Sequence, residues 1–460
     1  MKKFIVVLLA ALALSVPAFA LEADVAPFEV WLHNQKLEHR ATEYPLLVYK
    51  DITYFPMTYD YVHRLGLTSS WVDGCFYLSY CPVTSSAEEA PAYAPEVSKI
   101  KGEIASYPIY INGKLLDNSK EEYPVFNARG ITYFPMTWRF ATEEFGLSCF
   151  WDGKLMIGSG RGVIGGNDFR VPENGRLYFD RQVYETYQSE ENPGYLGHRY
   201  IGDKNYVFDP AARTVTESEY MPKDYLSDYS YRGRIDEKLK ISGNYLMYEN
   251  ILIDDLADYV AAEKTRETPL GINVFGYEFD LGGGKTLINV DMNYKTQYVQ
   301  PHTVSPTSLW FIRNADGSFG KLTFEHEAGF KMAEYIDGKR YLSLEFYDRM
   351  GSFYDQYGCK TYIVNDDNSL TPVEDADHGN VRLVGQSGGK PVVLATWKYE
   401  REGVSAVNDG YFAIESDGSL NKIYPYVYSD GEISYNGHLY LLIWRNNTIV
   451  DITAGEEIEF

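Results

Sequence analysis

The sequence predicts a mainly β protein in which two small α+β repeats precede a larger domain of repeated antiparallel sheets. Three observations support this fold class. A seven-residue segment recurs unchanged 79 positions later, and a weaker period near 50 runs through the last part of the chain. Hairpin dipeptides are also frequent, with seven Asp-Gly and three Asn-Gly pairs. The 460 residues are enough for two to four domains, at roughly 100–200 residues each.

The first twenty residues have the features of a signal peptide. Lys2 and Lys3 precede the apolar run from Phe4 to Leu14, and Ala18-Phe19-Ala20 supplies small residues for cleavage. The run is shorter than the roughly 20 apolar residues that span a bilayer. We therefore expect residues 1–20 to be removed and the chain to be secreted or held in the cell envelope, without membrane insertion.

The charge is strongly acidic. Lys and Arg number 42 against 65 Asp and Glu, a formal net charge of −23. Removal of Lys2 and Lys3 with the signal leaves 40 against 65, or −25. Because no basic stripe replaces phosphate counterions, we expect no nucleic-acid partner.

An internal duplication organises the first third of the chain. Ile52–Thr58 returns without change as Ile131–Thr137, and Asp73-Gly74 returns as Asp152-Gly153 at the same offset. The copies define four segments: repeat 1 at 27–83, a Pro-, Ala- and Glu-rich linker at 84–105, repeat 2 at 106–160, and, after a glycine-rich break, a second domain at 170–460.

Each repeat is predicted to contain strands, a short helix and hairpins. Tyr110–Leu115 reads as a hairpin because its Asn-Gly turn tolerates positive φ at both positions. Thr137 to Phe145 is expected to be helical, and Gly146 can end it in a left-handed cap. Asp152-Gly153 is expected to close a further hairpin.

This succession of motifs resembles the copper amine oxidase N-terminal-like domain, also called the stalk domain. The resemblance is carried by Asn112-Gly113-Lys114, Tyr123-Pro124, Ile131–Pro135 and Gly146-Leu147, followed by Trp151 and Asp-Gly. It implies an α+β module that occurs in tandem on exported bacterial envelope proteins and does not carry the copper site.

The repeats also depart from that family. Met57-Thr58 and Met136-Thr137 stand where the family usually has Leu-Arg, and Gln35 replaces the turn glycine of the first repeat. Both repeats therefore lack that arginine.

The larger domain is predicted to be a β-propeller of five or six blades. Three strand-like segments, Leu309–Ile312, Thr361–Val364 and Tyr411–Ile414, each precede an Asp-containing turn, and those turns are 51 and 50 residues apart. Short strands repeated at this period are typical of propeller blades. Another repeated all-β fold, such as a solenoid or an open sandwich, is the alternative. Asp254 to Arg266 is expected to form a helix inserted between blades.

Metal and phosphate sites have little support in the sequence. The eight His residues contain no His-x-His pair and no helical i, i+4 pair. Asp366-Asp367-Asn368 and Asp316-Gly317-Ser318 could be calcium loops, but turns explain them better. Gly282–Thr286 lacks the glycine spacing of a phosphate loop and is better explained as a hairpin turn. We assign no metal and no cofactor.

Catalytic pairs are also weakly supported. A glycosidase needs two carboxylates about 5–10 Å apart, and Glu325 with Glu327 or Asp254 with Asp255 are available. With 65 acidic residues, such pairs are common by chance, so no catalytic residue is assigned. The pairing of Cys75, Cys81, Cys149 and Cys359 stays open, since they share no metal spacing.

Together these features predict an exported, non-catalytic cell-envelope protein. Its propeller-like domain would bind a glycan or a protein partner, and its stalk-like repeats would present that domain or associate with the wall. Some of the 41 tyrosines could contact sugar rings, although tyrosine also fills ordinary strand positions. The alternative is a polysaccharide-acting enzyme with its site at the propeller hub.

Overall fold

The computed structural model of the chain describes residues 20–81, 93–159, 165–188, 196–222, 234–265, 271–294, 307–350, 353–374, 377–397 and 408–460. The predicted signal peptide lies outside these residues except for Ala20, as do residues 84–92 of the predicted linker and His302. The chain divides into two compact units. Unit 1 comprises the described residues up to Gly165, Arg181–Lys204 and Trp444–Asn446, and unit 2 comprises Gly166–Asp180, Asn205–Ile443 and Asn447–Phe460.

Strands dominate both units. The first fourteen strands are β1 (Ala20–Val25), β2 (Val30–Leu32), β3 (Gln35–Lys36), β4 (Leu47–Tyr49), β5 (Ile52–Pro56), β6 (Leu67–Val72), β7 (Cys75–Tyr80), β8 (Lys99–Ile104), β9 (Ile109–Ile111), β10 (Lys114–Leu116), β11 (Phe126–Ala128), β12 (Ile131–Pro135), β13 (Leu147–Trp151) and β14 (Leu155–Ser159).

The later strands follow in six sheets, which we call sheets A to F. Sheet A contains β15 (Gly165–Glu173), β16 (Arg176–Gln188), β17 (Leu196–Asp209) and β18 (Thr214–Ser218); sheet B contains β19 (Leu239–Ser242), β20 (Tyr245–Tyr248) and β21 (Ile251–Asp255); sheet C contains β22 (Ile272–Gly282), β23 (Lys285–Tyr294), β24 (Thr307–Arg313) and β25 (Phe319–Leu322); sheet D contains β26 (Glu327–Ile336), β27 (Lys339–Met350), β28 (Phe353–Val364) and β29 (Leu370–Val373); sheet E contains β30 (Asn380–Ser387), β31 (Lys390–Thr396), β32 (Gly410–Ile414) and β33 (Leu420–Pro425); sheet F contains β34 (Gly431–Tyr435), β35 (His438–Ile443), β36 (Thr448–Asp451) and β37 (Glu456–Glu459).

Helices among the described residues are short. They are the α-helices Tyr59–Arg64 and Ala257–Lys264, the π-helix Arg139–Glu144, and 3-10 turns at Asp236–Lys238 and Trp444–Asn446. The predicted helix in repeat 2 is therefore present in π form, and Gly146 follows it with φ +61°. The predicted insertion in unit 2 is the helix Ala257–Lys264, which lies between sheets B and C along the chain. No helix in the described part of the chain is both long and apolar enough to cross a membrane.

The duplicated heptapeptides pair with each other at the centre of unit 1. A closed six-stranded barrel has the order β1-β4-β5-β12-β11-β8, so that β5 and β12, the two identical segments, are antiparallel neighbours. Phe55 lies opposite Phe134, its own repeat equivalent, and both side chains are fully buried. Each copy therefore packs against the other, and a change in either copy alters the same interface.

The hairpins of the two repeats are exchanged. β7 of repeat 1 pairs in parallel with β9 of repeat 2, and β14 of repeat 2 pairs in parallel with β2 of repeat 1. The resulting four-stranded sheets have the orders β10-β9-β7-β6 and β13-β14-β2-β3. The predicted Asn112-Gly113 hairpin joins β9 to β10, with φ +49° and +80° at its two turn residues. The repeats consequently share one barrel and one unit.

The end of the predicted linker is a barrel strand. Residues 99–104 form β8, which pairs with β1 and β11. Its exposure alternates along Lys99–Ile104, with Ile100 and Gly102 inward, as in a half-buried strand. The sequence assigned these residues to the linker because the segment after Pro82 is rich in Pro and Ala, and the alternation covers only six residues.

Unit 2 consists of consecutive antiparallel sheets. In sheets C to F the strands are paired in chain order, and turns such as Asp316-Gly317 join the third strand to the fourth. Large apolar clusters fill the spaces between B and C, C and D, D and E, and E and F. Sheet F also contacts sheet A, since the rings of Phe208 and Tyr440 lie 5.1 Å apart and those of Phe179 and Phe460 lie 5.3 Å apart. The mainly β fold class is confirmed, and a closed propeller stays a prediction.

Candidate functional site

A cavity of about 280 Å³ opens in unit 2 where the first strands of sheets D, E and F meet. The first strands β26, β30 and β34 are successive neighbours. The lining residues are Lys331, Met332, Arg382, Leu383, Val384, Leu394, Tyr411, Tyr426, Val427, Tyr428, Ser429, Asp430, Gly431 and Glu432. We call this space the hub cavity.

Residues on the first strands of sheets D, E and F line the hub cavity. Met332, Arg382 and Glu432 each lie on one of these strands, at intervals of 50 residues. Glu432 is one ladder pair nearer to its hairpin turn than the other two residues are to theirs. Residues that are distant in sequence therefore converge at one cavity.

The cavity wall contains an ion pair whose carboxylate accepts several hydrogen bonds. The Arg382 guanidinium donates to both oxygens of Glu432, with nitrogen–oxygen distances of 2.8 and 3.2 Å. The Tyr411 hydroxyl donates to Glu432 Oε1 at 3.0 Å, and the Ser429 hydroxyl donates to the same oxygen at 3.1 Å. A bidentate arginine and two hydroxyls fix this carboxylate in one orientation.

This bonding controls the ionisation of both acids in the network. Burial acts to raise the pKa of the Glu432 carboxyl, but the charge and hydrogen bonds of Arg382 and the hydroxyl bonds outweigh it, so the pKa is lowered. The Tyr411 pKa is raised well above 10, chiefly by burial and then by the Glu432 charge. Glu432 is thus a fixed anion near neutral pH, and Tyr411 is a fixed hydrogen-bond donor.

The rest of the wall combines aromatic, aliphatic and cationic groups. Val384, Leu394 and Val427 belong to the buried cluster between sheets E and F. Tyr428 is half-buried at the cavity wall. Lys331 pairs with Glu345 at 2.8 Å. An apolar wall with a few oriented polar groups is typical of small-ligand sites.

A second cavity, of about 440 Å³, lies in unit 1. It is lined by Phe28, Glu29, Lys36, Leu37, Glu38, His39, Arg40, Ala41, Tyr93 and Glu96. Its ion pair, Lys36 with Glu29 at 2.6 Å, is about half exposed on both sides, and exposed pairs hold side chains only weakly. The hub cavity is the better-organised site.

The histidines singled out in the sequence have separate surroundings. His33 contacts the Arg64 carbonyl at 2.5 Å, His63 contacts the Tyr59 carbonyl at 2.8 Å, and His438 contacts Asp451 at 2.9 Å. In the ranges that the structure describes, no three His, Cys, Asp or Glu side chains are grouped as metal ligands. Burial lowers the pKa of His33 and of His39.

The two carboxylate pairs considered for glycoside hydrolysis lie outside the hub cavity. Asp254 binds Lys321 at 2.6 Å, and Asp255 accepts the Ala257 amide at the start of a helix. Glu325 is exposed and precedes β26, whereas Glu327 is half-buried at its first position. Only Glu327 is in the strand, so the two glutamates do not share a strand face.

The candidate calcium loops are hairpin turns built on the same local bonds. Asp316 Oδ1 accepts the Ser318 amide and hydroxyl at 2.9 and 2.6 Å, and Asp367 Oδ1 accepts the Ser369 amide and hydroxyl at the same distances. These serine bonds lower the pKa of both carboxyls. Gly282–Thr286 contains the turn between β22 and β23, with positive φ at its three glycines. None of the four cysteines is in a disulfide.

Sequence reasoning missed Arg382, Glu432 and Tyr411. None of them belongs to a local motif, and the charges of Arg382 and Glu432 resemble ordinary surface charges in the sequence. The available signal was the spacing of 50 residues between Arg382 and Glu432, which equals the repeat period. That spacing places the two residues on successive first strands, but it does not specify that they pair.

No family model matches the chain, and no curated protein matches it. Among solved structures, the chain is similar to a sucrose-6-phosphate hydrolase from Lactobacillus gasseri, with 14% sequence identity and a TM-score of 0.21. The alignment covers 60% of this chain and 52% of the hydrolase chain, about half of that neighbour's length. Similarity at this level assigns no function to the chain.

Proposed function

We propose that the protein is an exported, non-catalytic binding protein of the cell envelope and that unit 2 binds a glycan at the hub cavity. The observation that carries the proposal is the fixed polar network of Arg382, Glu432 and Tyr411 beside an aromatic and aliphatic wall. A sugar presents hydroxyls on its edges and carbon–hydrogen groups on its faces, so it needs both kinds of surface.

The size of the cavity limits what can enter it. At about 280 Å³, it is near the lower end of ligand pockets, which span roughly 300–1,000 Å³. This volume suits one sugar residue of a longer chain rather than several. Unit 1 would then act as the presenting or wall-associating part, as its resemblance to stalk domains implies.

A polysaccharide hydrolase is the second candidate, because two carboxylates, Asp430 and Glu432, line the same cavity. A hydrolase needs one carboxyl that donates a proton. Glu432 is poorly suited to that step, since its pKa is lowered and both of its oxygens accept hydrogen bonds. The fixed network therefore suits binding, and a hydrolase would need Asp430 as its proton donor.

The proposal is tested by a pull-down of the full chain on purified bacterial cell-wall glycan. Replacement of Tyr428 by alanine, which removes an aromatic ring from the cavity wall, should reduce retention by at least tenfold. Tyr245→Ala is the matched control, because Tyr245 is 47% exposed on β20 and does not line the cavity. Retention unchanged by Tyr428→Ala, or no retention of the unaltered protein, would contradict the proposal. Release of reducing sugar would instead favour the hydrolase.

A further inference from the structure

We propose that the hub cavity selects a neutral sugar bearing an acetamido group, an N-acetylhexosamine, and that the acetyl methyl lies against the aliphatic wall. This inference rests on the glycan-binding function proposed above and specifies its ligand. It depends on three features of the cavity: an apolar wall, a polar edge beside that wall, and cationic side chains that are already paired.

The apolar wall consists of three buried aliphatic side chains. Val384, Leu394 and Val427 line the cavity, and each is less than one-tenth exposed. Their side chains come from β30, β31 and the segment before β34, and they pack in one cluster. A hexose edge carries hydroxyl groups, which lose hydrogen bonds with water against such a surface. A methyl group binds favourably against such a surface, and one such group in an apolar pocket changes affinity by roughly 10–200-fold.

The polar edge can bond an amide. Ser429 lies two residues beyond Val427, and its hydroxyl donates to Glu432 Oε1 at 3.1 Å. Because that proton is directed to the carboxylate, the lone pairs of the Ser429 oxygen can accept a hydrogen bond from an acetamido N–H. The methyl and the N–H of one acetamido group would therefore contact neighbouring parts of the lining, the aliphatic wall and Ser429.

The charges of the lining disfavour an anionic ligand. The two cationic residues of the lining are both paired, Arg382 with Glu432 and Lys331 with Glu345. A uronate would have to disturb one of these pairs to find a counter-charge, at the cost of leaving a partly buried charge unpaired. The strongly acidic chain also repels uronate polymers.

The test compares four monosaccharides by calorimetric titration of the full chain: N-acetylglucosamine, glucose, glucosamine and glucuronic acid. We expect N-acetylglucosamine to bind at least tenfold more tightly than each of the others. Val427→Thr, which keeps the side-chain shape but makes the wall polar, should abolish this preference. Val450→Thr is the matched control, because Val450 is buried in the same cluster and does not line the cavity.

The outcomes separate the two proposals. If glucose binds as tightly as N-acetylglucosamine, the acetamido inference is overturned and glycan binding stands. If none of the four sugars binds and cell-wall glycan is not retained, the proposed function itself fails. If folded Val427→Thr keeps the full preference, the aliphatic wall is not the acetyl site. Should that variant not fold, the ranking of the four sugars on the unaltered protein still decides.

Discussion

Replacement of Arg382 by methionine should destabilise unit 2 while leaving unit 1 unchanged. The substitution keeps most of the side-chain volume and removes the partner of Glu432. Arg382 is 25% exposed and Glu432 is 11% exposed, so the pair lies between the surface and buried extremes. Removal of one partner costs about 3–5 kcal/mol for a buried pair and about 0–1 kcal/mol for an exposed one. Since Tyr411 and Ser429 still bond Glu432, we expect a loss of about 2–3 kcal/mol.

Hydrogen exchange followed by mass spectrometry measures this loss in each unit separately. Peptides from β30 and β34 should exchange faster in Arg382→Met, and peptides from β12 should not change. Lys390→Met is the control, because the Lys390–Glu415 pair is more exposed, at 54% and 30%, and should lose less than about 1 kcal/mol. Adding Glu432→Leu to Arg382→Met should recover much of the loss, since the unpaired charge is then absent.

The effect should also depend on pH. The pKa of Glu432 is lowered in the folded protein relative to its ordinary value of 4.5. Its ionisation therefore stabilises the fold above that value, and this stability is lost as the pH falls through the folded pKa. The difference between wild type and Arg382→Met should shrink in acid. A loss below about 0.5 kcal/mol at neutral pH, or strictly additive effects in the double variant, would refute the reasoning.

Three further predictions concern packing and pH. Asn118→Ala should lower the free energy of unfolding of unit 1 by about 3 kcal/mol, at about 1 kcal/mol per hydrogen bond. The Asn118 side chain makes three hydrogen bonds of 2.8–3.1 Å to buried backbone. Denaturant titration measures this loss, and the control Ser119→Ala should change stability little. Lys285→Met should lower the stability of unit 2 by about 2–3 kcal/mol, because the Lys285 ammonium bonds Asn314 at 2.6 Å and the turn of the next sheet. Unchanged hydrogen exchange of β23 would contradict this expectation. His39 has a pKa lowered by burial from 6.5, so unit 1 should lose stability as pH falls below that value; thermal melts should show a weaker pH dependence in His39→Gln.

The local parts of the fold were predictable from short-range chemistry. The Asn112-Gly113 hairpin, the glycine that follows the helix of repeat 2, and the Asp turns of unit 2 all depend on residues a few positions apart. The exchange of hairpins between the repeats was not predictable in this way. The β7–β9 and β14–β2 pairs join residues of different copies, and neither copy alone specifies its partner strand.

The hub cavity could not be predicted from short-range sequence either. Its aliphatic residues look like ordinary strand residues, and Arg382 and Glu432 look like surface charges until the sheets are packed. The period near 50 predicted that equivalent positions recur, but which face of each first strand turns inward depends on register. Sheets D and E both contain β-bulges in their first strands, and a bulge shifts the alternation of faces by one residue. The repeated pattern therefore indicated the architecture without locating the site.

The most direct test of sugar binding at the hub cavity is photo-crosslinking of the full chain with a diazirine derivative of N-acetylglucosamine, followed by peptide mapping. Binding at the hub cavity predicts labelling of β30 and of residues 426–432, and competition by free N-acetylglucosamine. Labelling confined to unit 1, or to surfaces of unit 2 away from the hub cavity, would contradict it.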